Sequence, residues 1–362
     1  MRSHPGRGEH SPRPDPGTAG RMASLGLGQP PRAGDADRDH RGVRFMIRFR
    51  PLGRTGLNLS ELAIGTAALR SAARDPGEAG AMLARALALG INTVEIDSSD
   101  AETATLLGDI LRREGARHRV HVIARAASLV PFDLPSPHVP ADQAYPGWHL
   151  RAATEALLGR LGVERLALQQ LHAWCPEWRG EGDWRQTLET LRAEGKIAGI
   201  GVSLFDHDVA AGLEIVASGT IDAVELMYNV FDQGAAAALF PLCQGHGVGV
   251  VVRSPLYFGA LAARPDGAMP GFSTEDWRTA YFYDAHRRET EARVQRLAPA
   301  VVAPDRSVAD LALRFALSHP AVSTVAVGMR TCAQLEANAA AIQRGPLDTD
   351  RLAALAAHKW LC

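Results

Sequence analysis

Cysteine is scarce in this chain: four residues in 362, Cys175, Cys243, Cys332 and Cys362, with no CxxC pair or other ligand spacing. That argues against a disulfide framework and a zinc site and leaves inert thiols, as expected of a reducing, cytoplasmic setting. No run of about 18 uncharged apolar residues occurs, so no membrane-spanning helix is expected. An excess of one charge is missing too. Lys plus Arg (39) nearly balances Asp plus Glu (40), a formal net charge of −1, so no nucleic-acid or membrane partner is expected. Tyrosine is sparse, five residues in all, and none precedes Tyr145.

What is present is the composition of a soluble enzyme, 46% hydrophobic and 22% charged. Residues 1–45 stand apart, rich in Arg, Gly, Pro, Asp and His and without periodic apolar positions. They read as a disordered leader, comparable with an Arg-rich transit segment or with residues ahead of a true start at Met46, and carry no assigned function. The remainder, 46–362, reads as one domain, since barrels of alternating strands and helices routinely run to roughly 250 residues or more as a unit.

That domain opens with a ribbon, MIRFRPLGRTGLNLS, whose Gly53–Gly56 turn suits a plug at one barrel end. Eight strand signals follow: Leu62–Gly65, Thr93–Ile96, Val120–Ala124, Leu166–Leu171, Ile197–Val202, Ala223–Leu226, Gly249–Val252 and Thr324–Val327. Helical periodicity covers Glu78–Leu89, Thr103–Glu114, His149–Leu161, Asp183–Glu194, Asp208–Ser218, Ala235–His246, Val308–Ser318 and Cys332–Ile342. Eight alternations argue for an α/β fold, a (β/α)8 TIM barrel with an N-terminal β-hairpin. The absence of GxGxxG after the first strand argues against an open Rossmann sheet. Two strands deliver a polar residue at their carboxyl ends, His172 and Ser203, where such barrels do their chemistry. Long loops at Ala126–Gly147, with five prolines, and Tyr257–Tyr283, with Trp277, Tyr281, Phe282 and Tyr283, are placed to shape a pocket or simply to pack together.

From Met46 onward the chain resembles the aldo-keto reductase family. The landmarks, in order, are RPLGRTGLNLSELAIGTAAL, LALGIN, LLGRLGVERLALQQLHAW, LRAEGKIAGIGVS, MYNVF, SPLYFGAL and LALRFALSHPAVSTVAVGMRTCAQLEAN. The resemblance implies a barrel that binds NADP(H) in an extended pose and reduces a small aldehyde or ketone. In VAVGMRTCAQLEAN a strand, a Gly turn and a helix start would turn backbone N–H groups toward an anion. Arg330 there would favour a 2′-phosphate. By resemblance Gly328, Arg330, Gln334 and Asn338 grip the adenosine end, while Ser254, Leu256, Gly259 and Leu261 run beside the pyrophosphate. Ser203 matches the residue that bonds the nicotinamide carboxamide, but its usual Asn neighbour is Leu204, the usual Gln is Glu225, and the usual stacking aromatic is Arg253.

The catalytic end departs further. The family's relay uses a phenol to protonate the carbonyl oxygen, a lysine to lower the phenol's pKa, a carboxylate paired with the lysine, and a histidine. His172 matches the histidine. Arg125 stands at the lysine position and cannot give up a proton. Glu95 stands at the carboxylate position, with Asp97 the alternative if the register differs, and Asp100 lies nearest the tyrosine position, where the chain is about two residues short. A substitute acid can be sought in the Glu95, Asp97 and Asp100 cluster, in His172 as imidazolium, or in a loop tyrosine, Tyr257 or Tyr281. The three acids also suit a plain turn and helix N-terminus. Three functions stay open: an NADP(H) oxidoreductase with a remodelled proton donor; a repurposed enzyme of elimination, isomerisation or hydrolysis; and a cofactor-binding protein without turnover. The sequence assigns no metal, substrate identity or oligomeric state.

Overall fold

The computed structural model describes residues 47–69, 76–131, 139–262 and 267–361. The leader 1–45 lies outside them. An antiparallel ribbon of β1 (Phe49–Pro51) and β2 (Asn58–Ser60) comes first. Then follow β3 (Leu62–Gly65), β4 (Thr93–Asp97), β5 (His121–Ala126), β6 (Leu166–Leu171), β7 (Ile197–Ser203), β8 (Ala223–Met227), β9 (Gly249–Arg253) and β10 (Val322–Gly328). These eight strands are parallel, pair in chain order, and close through β10 against β3, so the expected barrel is the observed fold.

Successive side chains on a strand point to opposite faces, so every second residue enters the barrel. Ile123, Leu168, Ala223 and Val251 form its apolar floor together with Leu52 and Leu59 of the ribbon. Two residues further along the same four strands stand Arg125, Gln170, Glu225 and Arg253. One step of the period therefore carries the interior from dry packing to a polar layer beneath the carboxyl mouth.

The ribbon seals the opposite end. Arg54 Nε donates to Asp222 Oδ1 at 3.0 Å and its Nη2 to the carbonyls of Gly219 and Ile221, while Arg50 reaches the carbonyls of Leu317 and Val322. Gly53 sits at φ +49°, so close to the barrel base that a Cβ would lie 2.4 Å from Gly247 O. Only glycine fits that approach.

Helical differences from the sequence expectation have local causes. The helix expected over Asp208–Ser218 is Ala211–Ala217, because the Asp208 carboxylate accepts the Ala211 N–H ahead of it. The one expected from Ala235 spans Leu239–His246, since Pro241 is tolerated only in a first turn. Helices Asp284–Leu297 and Thr349–Ala356 were not expected. The first buries only Thr290, Val294 and Leu297, the second only Leu355, too few apolar positions to mark a period.

Leu59→Ala would open a cavity where plug meets barrel floor. We expect a loss of about 2–5 kcal/mol in urea unfolding; an unchanged midpoint would mean that the ribbon does not support the barrel.

Candidate active site

The polar layer is an ionic chain. Arg125 Nε lies 2.6 Å from Glu95 Oε1, an ion pair close in distance but not aligned as a hydrogen bond. The same guanidinium stands 3.6 Å from Glu225 Oε1, which lies 4.0 Å from Arg253 Nε. Arg253 continues to Asp206 and to the Leu204 carbonyl at 2.7 Å. Glu225 has no solvent exposure and also receives Gln170 Nε2 and, at 3.4 Å, the hydroxyl of Ser203. Gln170, on β6, reaches Glu225, on β8, across β7 because Gly201 lies between; a Cβ there would stand 3.2 Å from that of Gln170. Gln170 Oε1 is buried with no hydrogen-bond partner among the described residues.

Beside this chain lies a second pair. His172 Nδ1 stands 3.3 Å from Asp97 Oδ2, and Asp97 Oδ1 accepts both the N–H and the hydroxyl of Ser99 at 2.9 and 2.6 Å. Burial pushes the Asp97 carboxyl up, but the hydrogen bonds from His172 and Ser99 outweigh it and hold the group well below the usual carboxylate range. Glu95 behaves oppositely. Burial pushes it up, to about 7, with Glu225 and Asp97 adding to the effect and the Arg125 guanidinium opposing it. The His172 side chain, 44% exposed, faces the cavity. Asp100 stands elsewhere, at the N-terminus of the helix Ala101–Arg113, where its carboxylate accepts the Thr103 N–H at 3.1 Å. Of the three clustered acids, two face inward and the third is a helix cap.

A cavity of about 1400 Å³ runs from this cluster to the barrel edge. Glu95, Arg125, His172, Ser203, Asp206 and Arg253 line one end; Gly328, Arg330, Gln334 and Asn338 line the other; Ser254, Leu256 and Gly259 lie between. In the middle stretch Ser254 (φ +51°), Tyr257 (+47°) and Phe258 (+54°) hold left-handed backbone beside Gly259 (+99°). Within it the Tyr257 and Gly259 N–H groups donate to the Ser254 and Leu256 carbonyls at 2.9 and 3.0 Å. Two N–H groups expected to face an anion are already taken: Arg330 N donates to Gln334 Oε1 at 2.8 Å and Gln334 N to Thr331 Oγ1 at 3.2 Å. The Arg330 side chain is exposed at this corner. The volume and the elongated lining suit an extended dinucleotide.

The loops contribute residues that sequence reasoning had not placed here. Tyr145 lines the cavity behind His172, fully buried and edge-on to Trp178, with its hydroxyl oxygen accepting the Ala173 N–H at 3.1 Å. Its spacing from the strands gave no signal, because the loop that carries it has no period. Burial holds this phenol far above its ordinary pKa. Tyr257 and Tyr281 turn away instead: Tyr281 donates to Tyr257, Tyr257 meets His286, and Tyr281 meets His207, which pairs with Asp232. Trp277 lines the cavity, whereas Phe282 packs on Phe272 and Tyr257. Among the described residues no group of His, Cys, Asp and Glu could hold a metal ion, and no helix is long and apolar enough to cross a membrane.

A parallel eight-stranded barrel with a long cavity at its carboxyl mouth is the frame of a (β/α)8 enzyme. The profile of the aldo/keto reductase family matches residues 61–359, and the chain belongs to that family, whose members are oxidoreductases that generally bind a nicotinamide cofactor and act on small carbonyl compounds. It is 26% identical over 323 residues to the uncharacterized oxidoreductase YqkF of Bacillus subtilis, covering 86% of this chain and 96% of that one. It is 27% identical to pyridoxal 4-dehydrogenase of Microbacterium luteolum, over 80% of this chain and 91% of the relative. In structure it is similar to the aldo-keto reductase AKR11C1 from Bacillus halodurans in its holo form, with a TM-score of 0.69 and 25% identity over 88% of this chain and 98% of that one.

A carboxyl whose pKa is higher folded than unfolded lowers stability as pH rises between the two values. Stability should thus fall between about pH 4.5 and 7 as Glu95 holds a proton that the unfolded chain releases. Urea midpoints across that window should flatten in Glu95→Gln; an unaltered slope would assign the proton to another group.

Proposed function

We propose that this chain is an NADP(H)-dependent oxidoreductase interconverting an aldehyde or ketone with its alcohol, in which His172, held by Asp97, moves the proton that a phenol moves elsewhere in the family. The observation that carries this reading is the His172–Asp97 pair, whose histidine lines the cavity. Asp97 stays ionised and fixes Nδ1, leaving Nε2 for a substrate oxygen. Tyr145 brings a phenol close by, but burial outweighs the main-chain N–H bonds that would ease its ionisation. Arg125 keeps its proton and holds Glu95 and Glu225 in place.

A bound dinucleotide would supply or accept the electron pair. Ser203 would hold its carboxamide, the Ser254–Gly259 backbone its pyrophosphate, and Asn338 with Gln334 its adenosine. Arg330 lies near enough to Asp276 to add to the pull of Arg278 on that carboxylate, so two guanidinium groups converge at this end. A 2′-phosphate suits them, which favours NADP(H) over NAD(H). Asp100 remains a helix cap in this scheme. The cytoplasmic setting rests on composition alone.

His172→Gln should lower kcat by about 10²–10⁴-fold while dinucleotide affinity is retained. Tyr145→Phe should leave the pH profile of kcat in place; a lost alkaline or acid limb there, with His172→Gln active, would transfer the role to the phenol. Arg330→Ala should weaken NADPH more than NADH in a binding titration. Equal losses would remove the 2′-phosphate assignment.

A further inference from the structure

Behind the cavity wall, side chains from the loops after β7, β8 and β9 and from the segment 281–286 share one hydrogen-bonded chain. Asp232 Oδ2 lies 2.8 Å from His207 Nδ1, and His207 Nε2 lies 3.0 Å from the Tyr281 hydroxyl. That hydroxyl is 3.2 Å from the one of Tyr257, which is 2.8 Å from His286 Nε2. Both phenols adjoin residues that line the cavity: Phe258 and Gly259 follow Tyr257, and Trp277 and Arg278 stand one turn ahead of Tyr281, whose N–H donates to the Trp277 carbonyl. Arg278 Nη1 donates to the Phe258 carbonyl at 3.4 Å, so the two pieces of wall are joined. The backbone is strained at the same place. Among the described residues the left-handed positions other than glycine are His207, Ser254, Tyr257 and Phe258. Two of these belong to the chain and two lie within three residues of Tyr257. Such conformations persist only where the surrounding contacts impose them.

The chain accommodates a limited number of protons. A phenol donates one hydrogen, and among the described residues neither hydroxyl has a hydrogen-bond partner outside the chain. With His207 as imidazolium, the bonds run from it through Tyr281 and Tyr257 to a neutral His286. With His207 neutral they run the other way, starting from the Nε2–H of His286. With both rings protonated, two N–H donors face each other across two hydroxyls, and one hydroxyl hydrogen is left without an acceptor. We propose that His207 and His286 are positioning residues that govern dinucleotide retention: while at most one imidazole is charged the chain holds the wall at 256–259 and 277–278 in place, and a second proton releases it. This rests on reading the cavity as a dinucleotide site. Burial pushes His286 below the ordinary histidine range and the charge of His207 adds to the effect, so the second proton arrives in acid. A ring that resists its proton while the chain is closed favours the open wall once it is protonated. The other charges facing the chain are Asp206 and Asp232, which act on both phenols, and Arg253, which acts on Tyr281. His286 otherwise meets rings, stacking on Phe282 and on Trp360, over which Arg293 lies.

The test combines amide hydrogen exchange of the full-length protein over 255–262 and 277–283 with calorimetric titration by NADPH, each at about pH 8 and about pH 5. Corrected for intrinsic rates, exchange in both segments should quicken in acid, and NADPH affinity should fall about tenfold, the effect of one hydrogen bond left unmade under cover. A 2′-phosphate titrates in the same range, so the variants decide. In His286→Gln, whose amide donates or accepts without taking a charge, the acid effect on exchange should vanish and that on affinity should shrink. Tyr281→Phe cuts the chain, so exchange should be fast and affinity low at both pH values, and it decides the question if the first variant does not fold. Exchange in the native protein that is indifferent to pH overturns the proposal, as does an acid effect undiminished in both variants. NADPH binding at neither pH, with exchange as expected, would instead overturn the dinucleotide reading and leave the proton-dependent wall in place.

Discussion

A carboxylate without solvent contact needs cations at its side, and Glu225, sealed inside the barrel, is set between Arg125 and Arg253. Most of the mouth is arranged around that requirement. Arg125 is shared with Glu95, Arg253 with Asp206, and Gln170 and Ser203 donate their remaining hydrogen bonds to the same carboxylate. A barrel interior has room for one such layer, because the floor beneath it is filled by Leu52, Leu59, Ile123, Leu168, Ala223 and Val251. Removing any one ion would unbalance a network shared by buried charges, which is costlier than losing a surface pair.

The same layer accounts for the division of labour among the acids. Asp97 and Glu95 are two residues apart on one strand and point the same way, yet their titration is driven in opposite directions. Asp97 receives three hydrogen bonds near the rim. Glu95 lies deeper, with acids on two sides and one misaligned guanidinium against it. Environments that separate the pKa values of neighbouring carboxyls are a common mark of a site that handles protons.

The family relationship and these departures are compatible because fold and chemistry sit on different residues. The eight-strand frame and the cavity at its mouth are set by the strands and loops, not by the ionisable side chains of the polar layer. His172 stands just past the end of β6, and Asp97 Oδ2, 3.3 Å from its Nδ1, restrains its orientation.

The alternation of strand and helix was legible in the residues themselves, since side-chain period is a local property and the strands from Leu62 to Val327 are short apolar runs bounded by turns. So was the placing of His172 and Ser203 at strand ends, and of Arg330 at a helix start. Helices with few buried positions, such as Asp284–Leu297, left no period to read. The sequence alone could not choose between Glu95, Asp97 and Asp100, because a cap, an ion pair and a histidine partner use the same side chain. Nor could it bring Tyr145 against His172, or Gln170 across β7 to Glu225. Those contacts join residues tens of positions apart, and only closure of the barrel decides which of them share a buried space.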